Sequence, residues 1–189
     1  MGATTLPKAL VGQTAAALAN LLGGCVQWQA LGVSGYDSRK VLNRLVPKLP
    51  DTESDFIILS VGVNDVTGLT TIRQWRHNVT ALLDKVQTHS PDAIVAVSGL
   101  PPLHSFPLLP QPLRAVFGMR SQSLDIELRN ILNGRSNCLH VPLDFEPDPG
   151  QFAADGYHPS EESYAEYGVQ VAEALNEFSK HRVLSGQPE

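Results

Sequence analysis

The chain has 189 residues, a length that fits one domain with enough material to bury a core. Apolar residues make up 42% and charged residues 17%, which excludes a disordered polymer. The formal net charge of −5 excludes the basic footprint of a nucleic-acid binder.

Helix and strand patterns alternate from end to end. Residues 6–22 put Leu6, Leu10, Ala17 and Leu21 on one helical face, with Pro7 in the first turn, where its missing N–H costs nothing. Gly23-Gly24 ends this helix. Leu22-Gly23-Gly24-Cys25 faintly resembles a lipoprotein cleavage site. Gln13, Thr14 and Asn20 interrupt the preceding stretch, however, and only Lys8 stands before it, so an amphipathic helix is the better reading. Leu6 also occupies the position where myristoylation needs Ser or Thr.

Val26–Leu31 reads as a short strand, and residues 38–46 as a short helix stopped near Pro47. The run Phe56-Ile57-Ile58-Leu59-Ser60-Val61 suits a parallel strand buried on both faces. Ile72, Trp75, Val79, Leu82, Leu83 and Val86 follow the 3.6-residue period and predict a helix over about 71–89. Residues 93–98 are the next strand, and 99–112 a proline-rich loop. Leu113, Val116, Phe117, Leu124, Leu128 and Ile131 mark another helix. Residues 138–141 form a strand, and Tyr164, Tyr167, Val171, Leu175 and Phe178 mark a last helix over about 160–179. Residues 1–180 read as a single domain and 181–189 as a solvated tail.

Cys25 and Cys138 cannot make a disulfide framework; each lies beside a strand-like run and is expected as a buried free thiol. No apolar run reaches the roughly 20 residues of a membrane span. The expectation is a cytoplasmic protein with no stable membrane anchor and no nucleic-acid partner. Its oligomeric state is left open.

This alternation predicts an α/β fold with a parallel sheet between helical layers. In such folds the chemistry gathers at the carboxyl ends of the strands. After one strand stands Gly32-Val33-Ser34-Gly35, after the next Gly62-Val63-Asn64-Asp65, and past the last Asp155-Gly156-Tyr157-His158-Pro159-Ser160. These three blocks, in this order, resemble those of the SGNH hydrolases, also called GDSL-type esterases and lipases. The resemblance covers nearly the whole chain. Each block alone is a weak signal. Together, placed after the right strands, they are strong.

The resemblance implies a three-layer α/β/α, flavodoxin-like fold and an ester hydrolase acting through an acyl-enzyme on a small-molecule ester, with no cofactor and no metal. It implies His158 as general base, Asp155 as its orienting carboxylate, and Gly35 and Asn64 as oxyanion-hole donors. The residue types suit these roles. Imidazole supplies a base of near-neutral pKa, and a carboxylate three residues earlier can fix its tautomer. Pro159 disfavours helical geometry at His158, and Ser160 can cap the helix that follows, whose positive end Glu161 and Glu162 complement. Asn64 carries a side-chain N–H₂, though it also suits a turn that bonds its own backbone. Gly35 offers a backbone N–H with no side chain in the way. Asp65 reads as a loop brace.

The family's first block, Gly-Asp-Ser, carries the nucleophile and does not occur here. The chain opens Met1-Gly2-Ala3-Thr4-Thr5-Leu6, almost directly into the first helix. Substitutes are poor. Ser38 is placed to cap a helix, Ser34 belongs to the second block, Ser60 and Ser98 sit at strand ends where they should pack, and Thr4 and Thr5 read as helix caps.

The family's strand order, 2-1-3-4-5, makes the absent strand central. Strands lie about 4.8 Å apart, so its loss leaves Val26–Leu31 and Phe56–Val61 roughly 10 Å from each other. Buried unpaired polar groups on both edges, at about 1–3 kcal/mol each, would rival the stability of a domain. The sequence is therefore expected to be incomplete at its amino end, with a start assigned too late. Alternatively the sheet closes up, or another chain donates a strand.

The loop 99–112 can wall an acyl pocket or simply pack on the sheet. Asp144, Asp148, Asp155 and His158 match no common metal-ligand spacing. Two rival readings remain: a non-catalytic SGNH-like binding module, and a flavodoxin-like nucleotide or flavin binder. The second lacks any G-x-G-x-x-G or P-loop glycine pattern.

Overall fold

A computed structural model describes residues 2–106, 108–143 and 149–185. The chain divides into two compact units, one of Met1–Ala30 with Pro147–Glu189, the other Leu31–Glu146.

In the first unit, a short 3-10 turn at Leu6–Lys8 leads into α1 (Leu10–Leu22). Gly23 ends α1 in the left-handed conformation at φ 63°, the geometry glycine adopts without a Cβ penalty. The helix α1 packs on α6 (Glu161–Ser185). Gly168 permits the close crossing, since a Cβ there would stand 2.7 Å from Cβ of Gln13. Ser160 caps α6 as expected: its Oγ accepts the N–H of Ser163 at 3.2 Å. The helix runs to Ser185, so residues 181–185 are helical rather than tail.

Val26–Leu31 does not form the expected strand and makes no ladder hydrogen bonds. A strand exists only through its neighbours, and apolar alternation without a paired edge supplies none. Trp28 and Leu31 are accordingly exposed.

The second unit holds a parallel sheet of β1 (Phe56–Leu59), β2 (Ile94–Ser98) and β3 (Cys138–Val141), in that spatial order. Phe56 pairs with Ile94, and Val97 with His140. Every residue of β2 is buried, as befits the middle strand. By contrast, β1 is only half-buried at each position, where the sequence predicts burial on both faces. Among the described residues it lies at the edge of the sheet, paired with β2 alone.

Helices α4 (Ile72–His89) and α5 (Leu113–Leu132) cover the face that carries Cys138 and His140: Gln87 reaches Cys138 Sγ at 3.5 Å, and Asp125 reaches His140. A full capping box at Thr71 and Gln74 starts α4. Trp75, Leu82, Leu83, Leu124 and Leu128 are fully buried, and each contributes about 1.5–3 kcal/mol by leaving water. Trp75 Nε1 donates to the Leu124 carbonyl at 3.0 Å, which removes the cost of burying the indole N–H.

Candidate active site

The residues 151–160 fold into a tight loop ahead of α6. Phe152 bridges to Pro159, Ala153 N donates to the His158 carbonyl at 2.8 Å, and Ser160 N donates to the Gln151 carbonyl at 2.8 Å. Gly156 takes φ 65° to make the turn. This fold brings His158 Nδ1 to 2.7 Å from Asp155 Oδ2. The other carboxylate oxygen accepts the backbone N–H groups of His158 at 2.9 Å and Tyr157 at 3.0 Å. Those two backbone donors, and then the ring, hold the Asp155 carboxyl below its ordinary value. With Nδ1–H donated to a fixed carboxylate, Nε2 carries the lone pair that a base needs. The Tyr157 ring meets the imidazole edge-on at 5.3 Å and limits its rotation.

At the loop's other end, Thr4 and Lys8 converge on Glu161. Thr4 donates through N–H at 3.0 Å and through its hydroxyl at 2.6 Å, and Lys8 Nζ lies at 2.8 Å. Lys8, then Thr4, draws the Glu161 carboxyl down to about 2. Thr4 is therefore a ligand of Glu161, and neither it nor Thr5 caps the first helix as expected.

In the second unit, Gly35 sits in a turn at φ 77°, closed by Tyr36 N donating to the Val33 carbonyl at 3.3 Å. A Cβ at Gly35 would meet nothing within 4 Å, so space lies open before it. The short helix α2 (Ser38–Lys40) follows. Its cap is Asp37, which accepts Lys40 N at 2.8 Å, and not Ser38 as expected. Ser38 is fully buried and bonded to Asp65, a poor state for a nucleophile.

Asn64 and Asp65 lie on α3 (Val63–Thr67). Asn64 Nδ2 donates to the Tyr36 carbonyl at 3.0 Å, so the amide bonds a distant loop and not its own backbone. The contact fixes which way the amide faces and leaves its second N–H for another acceptor. Asp65 braces the same loop from complete burial, accepting Ser38 N at 2.8 Å and Ser38 Oγ at 2.6 Å. Burial pushes its carboxyl above the ordinary value despite these bonds.

The proline-rich loop packs onto α5. Leu100, Leu103 and Phe106 are buried, Ser121 Oγ donates to the Pro101 carbonyl at 2.6 Å, and Leu100 N donates to Asp125 at 2.9 Å. Leu100 also covers Gly62, where a Cβ would stand 3.0 Å from its side chain. Ser98 is buried as expected, but Ser60 is exposed, because it follows the edge strand. Cys138 is buried as expected, whereas Cys25 is exposed, beside a run that forms no strand. Asp144 and Asp148 lie outside the described residues.

Two clusters escape sequence reasoning. Asp125 binds His140 Nε2 at 2.9 Å and Arg129 at 2.7 Å. Ser38 accepts Asn78 Nδ2 at 3.0 Å while donating to Asp65. Only the i,i+4 spacing of Asp125 and Arg129 offered a signal.

The parallel sheet with its helices defines an α/β protein. The family model described as GDSL-like lipase/acylhydrolase matches residues 1–166, and the chain belongs to that family. Solved structures agree on the fold. A carbohydrate esterase family 3 protein from Talaromyces cellulolyticus is 14% identical with a TM-score of 0.66, covering 89% of this chain and 91% of its own. The carbohydrate acetylesterase Est24 from Sinorhizobium meliloti is 19% identical, with a TM-score of 0.64 and coverage of 90% and 86%. The lipase Lip_vut3 from a goat rumen metagenome is 15% identical, with a TM-score of 0.68 and coverage of 94% and 90%. No curated protein sequence matches the chain significantly. Among the described residues, no helix is long and apolar enough to cross a membrane.

Proposed function

We propose that the protein is a serine ester hydrolase that works through a covalent acyl-enzyme. The observation that carries this reading is the 2.7 Å contact of His158 Nδ1 with an Asp155 carboxylate already held by two backbone N–H groups. His158 Nε2 takes the proton of a serine hydroxyl as that oxygen bonds to the substrate carbonyl carbon. The carbonyl oxygen, now negative, accepts the Gly35 N–H and the second Asn64 N–H. The imidazolium returns its proton to the departing alcohol oxygen as the ester C–O bond breaks. Water then repeats the cycle and releases the acid.

The hydroxyl is assigned to no serine of this chain. Small-molecule esters are the substrates, and a cytoplasmic location fits two unpaired cysteines. The test uses the protein expressed from its native gene. Hydrolysis of p-nitrophenyl acetate, abolished by His158→Ala, is the expected result. The absence of one assigned nucleophile favours a second reading, a non-catalytic SGNH-like binding module. A native product that neither hydrolyses the ester nor reacts with a fluorophosphonate probe would establish that reading instead.

A further inference from the structure

We infer that Asp65 is a positioning residue for the oxyanion donors, its buried carboxylate clamping the Gly35 turn to the helix that carries Asn64. The inference rests on the hydrolase reading for its catalytic consequence. The clamp itself stands on geometry alone.

Asn64 and Asp65 are consecutive, and each grips the same three-residue stretch of the partner loop. Asn64 Nδ2 holds the Tyr36 carbonyl, and Asp65 Oδ2 holds the Ser38 N–H. One such bond would leave the loop free to pivot. Two, spaced by two residues, fix both its distance and its tilt. The Gly35 N–H lies one residue before the first grip, so its direction follows from theirs.

Ser38 Oγ extends the clamp. It donates to Asp65 Oδ1 and accepts Asn78 Nδ2 from α4, which ties the loop to a helix anchored in the core. All three side chains, Ser38, Asp65 and Asn78, are buried.

Stability alone is a poor account of Asp65. The neighbouring charge is another carboxylate, Asp37, which opposes ionisation. A buried carboxylate that pairs with no cation among the described residues is a costly way to hold a loop that apolar packing could hold as well. What a carboxylate supplies, and an apolar side chain cannot, is two acceptors at fixed angles.

The experiment has two arms. In the 189-residue chain, Asp65→Ala removes both acceptors, the one that holds the Ser38 N–H and the one that holds the Ser38 hydroxyl. Asp65→Asn, equal in size and keeping one acceptor, serves if the first variant does not fold, with the same loss of protection in smaller degree. NMR hydrogen exchange should show lost protection at the Ser38 amide and at the Asn64 side-chain amide, while amides of α4 such as Leu82 and Leu83 are unchanged. An Asn64 side-chain amide that exchanges as in the parent would overturn the clamp. In the native product, kcat should fall by about tenfold or more with KM nearly unchanged, measured well below Tm. A lowered Tm with kcat intact would also overturn it. A parent without ester hydrolysis would sink the hydrolase reading only, because the exchange arm still decides the clamp.

Discussion

Asn64 donates its side-chain N–H to the backbone carbonyl of Tyr36 across 3.0 Å, joining α3 to a turn 28 residues earlier in the chain. A donor that must receive a developing oxyanion has to be aimed before the substrate arrives, because reorganisation during the reaction forfeits the electrostatic gain. Asn64→Ala should therefore lower kcat of the native product by about 10²–10³ with little change in KM. Asn64→Asp, equal in size but without the N–H₂, should lose as much. Steady-state kinetics on p-nitrophenyl acetate checks both, and an Asn64→Asp enzyme of parental rate would remove Asn64 from the oxyanion hole.

Asp155 makes a different prediction, about pH. Its carboxyl is held below the ordinary value by the N–H groups of His158 and Tyr157 and then by the imidazole. A depressed carboxyl stays ionised above its unfolded value near 3.9, and its contribution is lost only as pH falls through the lower folded value. Between about pH 5 and 8 it does not titrate, so any acid limb of the rate profile there belongs to another group. The limb in the parent should fit a single proton. Asp155→Asn should lower kcat by roughly 10⁴, because the amide can stabilise the wrong tautomer. A second ionisation on the acid limb near pH 4–5 would contradict the assignment.

Much of the fold was legible in the sequence where structure is local. The period of Trp75, Val79, Leu82 and Val86 marks α4, and Cys138–Val141 is a strand over the expected residues. The failures are non-local. Val26–Leu31 has the composition of a strand, but a ladder needs a partner edge, which no pattern within the segment can reveal. Phe56–Val61 was legible as a strand yet not as an edge, for the same reason. At the site, the Asp155–His158 pair is readable because three residues and a turn bring the groups together. The tie of Asn64 to Tyr36 and of Asp125 to His140 depends on how loops and a helix settle against the sheet, and no spacing encodes it.

The pair Asp125 and His140 should show in acid stability. Burial raises the Asp125 carboxyl, but the His140 ring, the Leu100 N–H and the Arg129 charge outweigh it and leave it below the ordinary value. The contribution to stability is present above the unfolded carboxyl value and disappears as pH falls through the folded one. Asp125→Asn should therefore destabilise the chain at pH 7 by about 1.5–3 kcal/mol. That difference should shrink at pH 3. Urea denaturation of parent and variant at the two pH values measures it, and a gap independent of pH would show that Asp125 acts by packing.

The open edge of β1 carries the last prediction. Phe56, Ile57, Ile58 and Leu59 contain no charge or proline, pair on one side only among the described residues and are half-exposed. Trp28, Leu31 and Val33 add exposed apolar surface elsewhere in the chain. A flat apolar edge of this kind is a template for strand addition, and proteins commonly blunt such edges with lysine. The 189-residue chain should self-associate as its concentration rises. Ile57→Lys should suppress the association, because a lysine on the edge strand disfavours a second strand beside it. The substitution leaves the backbone pairing of Ile57 with Val95 available. Light scattering across a concentration series follows both proteins. Equal association of parent and variant would show that another surface, and not this strand, brings the molecules together.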